Sequence, residues 1–567
     1  MLNYLQYIKA AIILLLIAGY GNLSLNAQSP FQSSEIIPYD IFEKNVGPST
    51  TPVKMTGYVD TEDYHEIRYV SVNNGSDDGD GSQSKPWADI RYALDHINDA
   101  SLTKRYAVLV AEGVYGGGTV YMKEFIHLYG GFNSDNWKRD IESYSTVVDG
   151  NKKGRAMIGA DNAKVDGFVI RNGLYRGKGG GILCDGTSPV ISNNIISNNK
   201  TLTPDNWEPE FIHELANDGG SIAALNGAGP HITNNLFVNN QTETGRGAGI
   251  AAHNRSTPLI AYNVFLNNTS GINDSMRSSD GGAISSAYHS SSDIYYNVIL
   301  GNRAENKNDG GGIFTEKWSS LHIGGNLLVD NFSSDDGGGI YLSGQTHHYV
   351  TKPDPVYPEE RYLNKLKGNY LIGNSIDSDA PPGAFRFTND TRVEYDRNIS
   401  YLNDGGLDFR KSMVKARNNI MMDIVTIRES DYTTYLHDNL ILGSLVIDAP
   451  VEQVNNQVEE KITTPYDDQF NNIFIDDQLS LVARNGVYDS DKYVTKIRLA
   501  KPISEVVELK NRVVKIDDSW SVIYTNDQRS ITVWGDHSKG RQIEVLTTFR
   551  MNTISDHYGE KVGLAGK

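Results

Sequence analysis

A glycine-rich motif that recurs six times constrains the fold of this chain more than any other feature. In every copy a glycine stands three residues before an isoleucine, and these isoleucines are Ile182, Ile222, Ile250, Ile284, Ile313 and Ile340. A second motif, rich in asparagine, begins between the copies at Asn194, Asn235, Asn263, Asn297 and Asn326. Two strand-like blocks per repeat, joined by turn residues and without a helical stretch, are typical of one coil of a β-solenoid.

The residues around each isoleucine predict which side chains line the inside of the tube. Because side chains alternate along a strand, the isoleucine and the second residue after it should point inward together. That second residue is mostly small: Cys184, Ala224, Ala252, Ser286, Thr315 and Leu342. The glycine before the strand indicates a left-handed or tightly packed turn, where a Cβ atom would be penalised. The asparagine runs indicate stacked amides or left-handed turns.

Charge and cysteine content exclude several classes of protein. The chain has 567 residues with 70 acidic against 52 basic side chains, and its net charge of -18 argues against a general nucleic-acid or anionic-membrane binder. Cys184 is the single cysteine, which excludes an intramolecular disulfide framework and any multi-thiolate metal site. Its place in the inward column predicts a buried, inert thiol.

The first 27 residues are interpreted as a signal peptide. Lys9 precedes an apolar run over residues 10–18, and Ala27 supplies a small residue at a plausible cleavage point. About nine apolar residues are too few to span a bilayer of roughly 30 Å. We therefore expect a secreted or periplasmic protein that has no membrane attachment after cleavage.

The remaining chain divides into three predicted parts. Residues 28–66 are polar with several prolines, as in an arm or linker, and residues 67–451 contain the coils. From 452 to 567 the repeat stops and alternating strand patterns begin, which predicts a β-rich C-terminal cap or a small accessory domain. This part contains the aromatic residues Trp520, Tyr524 and Trp534. A carbohydrate-binding module would use them to bind sugars, although aromatic residues in strands more often belong to the core.

A short amphipathic helix is predicted at the N-terminal end of the tube, over residues 84–99. Its apolar residues recur at helical spacing: Trp87, Ile90, Leu94 and Ile97. A solenoid must hide its open ends from water, so we expect this helix to cap the first coil.

Several motifs outside the repeats add a family resemblance. They are Tyr69-Val-Ser with Gly75-Ser-Asp, Pro86-Trp87 with Ala93-Leu94, Tyr129-Gly-Gly-Phe132, Trp137, Arg139-Asp140 and Val148-Asp-Gly150. Together with the Gly-Gly-x-Ile coils, they resemble secreted right-handed parallel β-helix proteins of the pectin-lyase-like superfamily over roughly residues 67–450. The resemblance implies an all-β, right-handed parallel β-helix. The resemblance is a weak guide to activity, because similar folds occur in polysaccharide lyases, glycoside hydrolases, epimerases, esterases and noncatalytic adhesins.

The outward side of the repeated strand is the predicted functional face. Residues one and three places after each isoleucine should point outward, and aromatic, basic and acidic types concentrate there on coils 250–411. This mixture suits a sugar-binding groove, because aromatic rings stack on pyranose faces and cations pair with carboxylates or sulfates. The alternative is an ordinary solvent-exposed surface without a binding role. The residues interpreted as substrate-binding are His253, Glu316, Trp318, Asp408 and Arg410.

Two mechanisms fit these residue types. β-Elimination from a uronate polysaccharide needs a cation on the carboxylate, a base for the C5 proton and an acid for the leaving oxygen. Its candidates are Lys317 or His289 as base, Arg386 and Arg410 as carboxylate clamps, and Tyr341 or Tyr288 as acid. Hydrolysis would instead use Asp280, Asp309, Asp336 and Glu316. The Asn-Thr-Asp and Arg-Ile-Lys signatures of polygalacturonase-type hydrolases are absent from the sequence.

A row of aspartates adds a candidate metal site. Asp280, Asp309 and Asp336 each stand four residues before an isoleucine, so coils about 4.8 Å apart would stack three carboxylates beside Arg246. A bound cation such as Ca²⁺, raised pKa values or outward splay would relieve their repulsion. The alternative is that each aspartate simply caps its Asp-Gly turn. No organic cofactor is expected, because phosphate-loop and dinucleotide motifs are missing.

These observations predict a monomeric protein whose partner is an extracellular polysaccharide and not a nucleic acid. A lyase of acidic glycans is the first interpretation, a glycoside hydrolase the second, and a noncatalytic glycan-binding or adhesive solenoid the third. Two insertions, over 202–216 and 345–367, carry aromatic and histidine residues and would wall the binding face.

Overall fold

The computed structural model describes most of the coil region and part of the C-terminal region. The described residues are 59, 61–141, 143–205, 217–273, 279–344, 363–377, 383–441, 443–458, 478–489, 494–503, 509, 512–517, 519–534, 536–539 and 542–550. The predicted signal peptide, most of the predicted arm, and the aromatic parts of both insertions, 206–216 and 345–362, lie outside them. No helix within the described ranges has the length and apolar character needed to cross a membrane.

Three long parallel sheets form a right-handed parallel β-helix, as predicted. Within the described residues, sheet 1 contains Glu66–Val70, Tyr106–Ala111, Ile126–Phe132, Lys164–Asp166, Val190–Ser192, His231–Thr233, Leu259–Ala261, Ser291–Tyr295, Ser320–Gly324, Leu363–Lys367, Arg392–Asp396, Met413–Arg417, Thr434–His437 and Val451–Val454. Sheet 2 contains Val120–Tyr121, Met157–Ile158, Ile182–Asp185, Ile222–Leu225, Ile250–His253, Ile284–Ala287, Ile313–Thr315, Ile340–Ser343, Phe385–Thr388, Leu407–Arg410, Val425–Arg428 and Leu445–Asp448.

The third long sheet and a shorter fourth sheet complete each coil. Sheet 3 contains Gly113–Tyr115, Thr146–Asp149, Phe168–Arg171, Ile195–Ser197, Leu236–Val238, Val264–Leu266, Val298–Leu300, Leu327–Val329, Tyr370–Ile372, Ile399–Tyr401, Ile420–Met421, Leu440–Ile441 and Gln457–Val458. Sheet 4 contains Leu174–Arg176, Lys200–Leu202, Gln241–Thr242, Thr269–Ser270, Arg303–Ala304, Phe332–Ser333 and Ser375–Ile376. The chain passes through sheets 2, 1, 3 and 4 in turn, and the next coil then stacks in parallel register.

One α-helix, Ile90–His96, lies within the segment where the sequence predicts one. It is shorter than residues 84–99 because the side chain of Asp89 accepts hydrogen bonds from the first backbone N–H groups and so begins the helix there. Its buried residues, Ile90, Ala93 and Leu94, pack in the same apolar core as the coils. A single 3₁₀ turn at Thr61–Asp63 precedes the first strand.

The repeated motif folds as its residue types predict. All six isoleucines are fully buried, and the glycine three residues before each has a positive φ, for example 69° at Gly310. A Cβ atom on Gly310 would lie 2.7 Å from Cβ of Phe314, so only glycine fits there. Burial raises the pKa of the Cys184 thiol to about 12, which agrees with the predicted inert thiol.

Two ladders of buried asparagines hold the corners of the tube. Asn268 is typical: its Oδ1 accepts the backbone N–H of Asn240 at 3.0 Å and its Nδ2 donates to Oδ1 of Asn302 at 2.9 Å. Each amide thus bonds to a backbone group of the preceding coil and to a side chain of the next coil, in a buried position where a polar group without a partner would be costly. The predicted stacked amides are therefore present.

The C-terminal region forms a separate antiparallel sheet. In spatial order its described strands are Gln478–Val482, Gln542–Arg550, Arg512–Ile516, Ser519–Asp527, Ser530–Trp534, Val494–Arg498 and Val487–Asp489. Its apolar core, which includes Ile497 and Ile531, is distinct from the core of the tube. The side chains of Trp520, Tyr524 and Trp534 lie outside the described part of the structure.

Candidate functional site

The outer face of sheet 2 brings the predicted site residues together. Parallel register places one outward residue of each coil beside its equivalent on the next, in the order Ser285, Phe314, Tyr341, Arg386 and Asp408. The predicted stacking of equivalent residues is therefore present on this face. Scattered polar residues become one continuous surface because each strand contributes to the same column.

Most of these side chains are buried against one another, not open to water. The exposed fraction is 1% for His253, 2% for Tyr341, 5% for Arg386 and 1% for Asp408. The sequence pattern predicts an outward direction but not this burial. Charged groups at such depth must be paired, and ion pairs connect different coils along the face.

Arg246 organises the first ionic cluster. Its Nε lies 3.2 Å from Oδ2 of Asp280, and its Nη1 lies 2.6 Å from Oε1 of Glu316. Nζ of Lys317 lies 2.9 Å from the same Glu316 oxygen and donates to the Tyr288 hydroxyl at 2.8 Å. Burial opposes the charge of Arg246, but Glu316 and the other nearby anionic groups outweigh it and raise its pKa.

The turn that follows each strand supplies the partly exposed rim of this cluster. Tyr288, His289, Lys317 and Trp318 occupy two stacked turns with φ between 53° and 62°, a left-handed conformation that is uncommon for bulky residues. The same turn holds asparagine at Asn254 one coil earlier. Backbone strain of this kind is often stored at functional sites. The roles predicted for His289, Lys317 and Trp318 stay predictions.

The second ionic cluster is built around Arg386 and Asp408. Arg386 pairs with Asp336, and its Nε lies 3.7 Å from Oδ2 of Asp408. Arg428 binds Asp408 through two hydrogen bonds of 2.9 Å, in the bidentate geometry typical of a strong ion pair. At the rim, Arg410 pairs with Glu429 at 2.8 Å. The predicted carboxylate clamps are thus engaged by carboxylates of the chain itself.

The aspartate row forms as predicted, but its hydrogen bonds run between coils. Oδ1 of Asp280 accepts the backbone N–H of Asp309 at 3.0 Å, and Oδ1 of Asp309 accepts that of Asp336 at 3.0 Å. Burial raises the pKa of Asp309 well above its usual range, and the neighbouring Asp280 and Asp336 raise it further. Burial raises the pKa of Asp336 to about 6, although Arg386 opposes the shift.

The carboxylates best placed for a cation differ from the predicted set. One oxygen each from Asp309, Asp335 and Asp336 lies within 4.8 Å of the others, whereas Asp280 is paired with Arg246. Ca²⁺ takes about six to eight oxygen ligands, so these three carboxylates would supply only part of its coordination shell. The Ca²⁺ site predicted at Asp280, Asp309 and Asp336 stays a prediction, and the geometry favours Asp335 over Asp280 as the third ligand.

A line of three hydrogen-bonded residues lies at the end of the face near coil 222. Nδ1 of His253 lies 3.1 Å from Oδ2 of Asp218, and its Nε2 lies 3.0 Å from Oγ of Ser285. The pattern is that of a nucleophilic triad. Each member is at most 1% exposed. We therefore interpret the line as three buried polar side chains that serve as one another's hydrogen-bond partners.

Sequence reasoning missed several members of these clusters. Asp218 occupies the same column as the aspartate row, and Asp335 directly precedes Asp336, so a local signal for both was present. The sequence around Arg428 gave no such local signal, because this coil lacks the Gly-Gly-x-Ile motif. Only the structure shows its register, in which Arg428 pairs with Arg410.

We expect the Asp309→Asn variant to be more stable than the parent chain at pH 8 but not at pH 4. A carboxyl whose folded pKa is raised binds its proton more tightly when folded, so stability is lost as pH rises above the unfolded value of 3.8. Replacing this carboxyl by an amide should raise the free energy of unfolding by about 1–3 kcal/mol above pH 6. Urea unfolding at pH 4 and pH 8 would measure the difference. An equal difference at pH 4 and pH 8 would contradict the raised pKa.

Comparison with known proteins agrees with the fold. Residues 143–352 match a family model described as a right handed beta helix region, and no curated protein matches the sequence. Together with the parallel sheets, this match supports a right-handed parallel β-helix as the fold of the chain.

Three solved structures are similar over most of the chain at low identity. Pectate lyase Pel9A is 12% identical with a TM-score of 0.29, covering 72% of this chain and 80% of its own. The GH136 lacto-N-biosidase from Eubacterium ramulus is 11% identical with a TM-score of 0.31, covering 70% and 69%. The Yersinia enterocolitica Family 28 exopolygalacturonase is 10% identical with a TM-score of 0.24, covering 70% and 79%. At these values the likenesses carry no argument about substrate or mechanism.

Proposed function

We propose that the chain is a secreted carbohydrate-active enzyme that hydrolyses an extracellular polysaccharide at Asp309 and Asp336. The observation that carries the proposal is a pair of neighbouring carboxyls in different environments. Asp309 lies among other acids, and Asp336 is held by Arg386. Environments that push the pKa values of two carboxyls apart distinguish an acid from a nucleophile or base.

The roles follow from these environments. Burial and the neighbouring acids raise the pKa of Asp309 and so favour its protonated form, and this partly exposed carboxyl is the proposed donor to the leaving glycosidic oxygen. Asp336, ionised above about pH 6, is the proposed nucleophile for the anomeric carbon. Its Oδ1 is buried and has no hydrogen-bond partner among the described residues, so attack requires that substrate binding open this oxygen to the sugar. Water then cleaves the glycosyl ester with Asp309 as base. One oxygen of Asp309 and one of Asp336 lie no more than 4.8 Å apart, so the two carboxyls are close neighbours, as in retaining enzymes, whose carboxyls lie roughly 5–5.5 Å apart.

β-Elimination is the second candidate, and one contact favours it. Lys317 donates a hydrogen bond of 2.8 Å to the Tyr288 hydroxyl on the partly exposed rim, which brings a candidate base and a candidate acid together. Against it, both predicted clamps, Arg386 and Arg410, are already paired within the described part of the chain. A Ca²⁺ ion at Asp309, Asp335 and Asp336 would supply the missing positive charge for a uronate carboxylate.

Product analysis tests the proposal directly. The full chain is incubated with a panel of neutral and acidic polysaccharides, with and without a chelator, and two products are followed. We expect new reducing ends with retained anomeric configuration and without the ultraviolet absorbance of unsaturated uronate ends. Unsaturated ends that disappear on chelation would replace hydrolysis by the second candidate. Binding without either product would identify a noncatalytic glycan-binding solenoid.

A further inference from the structure

A cleft lies on the wall formed by sheets 3 and 4, away from the sheet 2 face. It has a volume of about 930 Å³, and its lining comes from the tube on one side and from Tyr488 and Asp536 of the C-terminal sheet on the other. Ligand sites occur preferentially where two structural units meet, and this volume suits an oligosaccharide-sized ligand. None of the groups proposed for hydrolysis lines it.

The floor of the cleft consists of two parallel columns of mostly polar residues. The first column is the left-handed corner after sheet 3, and it contains Asn172, Asn198, Asn239, Asn267, Gly301 and Asp330. The second is the first position of sheet 4, where Leu174, Lys200, Gln241, Thr269 and Arg303 pair in register. Coils about 4.8 Å apart therefore repeat hydrogen-bonding groups at a spacing close to the rise of one sugar in an extended glycan chain.

Basic residues outnumber acidic ones in this cleft, although the whole chain carries -18. The lining contains four cations, Lys152, Arg171, Lys200 and Arg303, against two acids, Asp330 and Asp536. Arg171 is paired with Asp149 at 2.8 Å, and Arg303 with Glu305 at 2.6 Å. Lys152 and Lys200 form no ion pair with any other described residue. With both arginines neutralised by these partners, Lys152 and Lys200 are the lining cations left to bind an anionic ligand, beside Asp330 and Asp536.

Tyr488 closes the cleft on the side of the C-terminal sheet. Burial raises the pKa of the Tyr488 phenol to about 12, whereas Arg171 and the side chain of Asn198 lower it. Because both of these residues belong to the tube, the phenol lies against its wall. An aromatic ring beside amide and cationic groups is a combination that stacks on a sugar face and hydrogen-bonds its hydroxyls.

We infer that this cleft is a binding site for an acidic oligosaccharide segment, separate from the site on sheet 2. Lys152 and Lys200 pair with its carboxylate or sulfate groups, the amides bind its hydroxyls, and Tyr488 packs on a ring. The inference goes beyond the proposed hydrolysis, since it concerns binding on another wall of the molecule. It holds whichever reaction the sheet 2 face performs.

Affinity measurements on the full chain test the inference. Binding to polygalacturonate, alginate and heparin is measured by calorimetry, with dextran as a neutral polymer. We expect at least one polyanion to bind and dextran not to bind, with affinity falling as salt increases. The variants Lys200→Glu and Tyr488→Ala should each weaken binding roughly fivefold to tenfold, as expected for losing one partly exposed contact.

Two control variants separate this site from the sheet 2 face. Lys85→Glu makes the same charge change at an exposed lysine outside the cleft and should leave affinity unchanged. Asp309→Asn should also leave it unchanged, because Asp309 is not part of the cleft. Unchanged affinity in Lys200→Glu and Tyr488→Ala, or no polyanion binding at all, would overturn the inference. A loss of binding in Asp309→Asn alone would assign the ligand to the sheet 2 face instead.

Discussion

The Asp309→Asn variant is expected to lose hydrolytic activity by about 10²- to 10⁴-fold, the usual contribution of a general acid. An amide at this position cannot donate a proton to the leaving oxygen. It still keeps the Oδ1 acceptor that binds the backbone N–H of Asp336 at 3.0 Å. The fold should therefore persist, and the variant should be at least as stable as the parent chain near neutral pH. Initial rates of reducing-end release on the best polysaccharide of the panel provide the measurement.

Asp185→Asn is the matched control for this prediction. Asp185 is an exposed aspartate of the same sheet, outside both ionic clusters, and accepts a hydrogen bond from Asn226 at 2.5 Å. Its replacement should leave the rate unchanged. Asp336→Asn should lower activity as strongly as Asp309→Asn, because it removes the nucleophile. A rate for Asp309→Asn within about twofold of the parent chain would remove Asp309 from the mechanism.

The Arg246→Met variant is expected to lower the free energy of unfolding by about 3–5 kcal/mol. Arg246 is 2% exposed and pairs with Asp280 and Glu316, so its removal leaves buried carboxylates without their main cation. Breaking one side of a buried ion pair costs this much because the remaining charge stays out of water. Urea unfolding, followed by circular dichroism, would measure the change at neutral pH.

Two further variants show whether the cost comes from unpaired charge. Arg176→Met removes an arginine that is 52% exposed and paired with Asp205 at 3.2 Å, and it should change stability by less than about 1 kcal/mol. The triple variant Arg246→Met, Asp280→Asn, Glu316→Gln should recover most of the lost stability, since neutral partners no longer need the cation. A loss in Arg246→Met no larger than in Arg176→Met would contradict the buried network.

The tube could be predicted from the sequence because its rules are local and repeat. A glycine before each strand, an inward isoleucine and an asparagine at each corner fix the direction of every side chain in a coil, and stacking then repeats that direction. The same logic placed Asp280, Asp309 and Asp336 in one row, and it placed His253, Glu316, Tyr341 and Arg386 on one face.

The ionic partners could not be predicted in the same way. Arg246 reaches Glu316 two coils away, and Arg428 binds Asp408 from a coil without the repeat motif. Such pairs depend on side-chain reach across coils, which spacing along the chain does not encode. The alternation of inward and outward positions also says nothing about burial of the outer face, since burial depends on what packs over it.

For this protein, local backbone preference and side-chain alternation were enough to determine the class of fold, the strand register and the face that carries the charges. The tertiary structure decided which charges pair, which carboxyls keep their protons and where the C-terminal sheet meets the tube. The physical reason is the distance along the chain over which the two kinds of interaction act. Turn conformation and strand direction depend on neighbours in the chain, whereas ion pairing and desolvation depend on groups that only folding brings within a few ångströms.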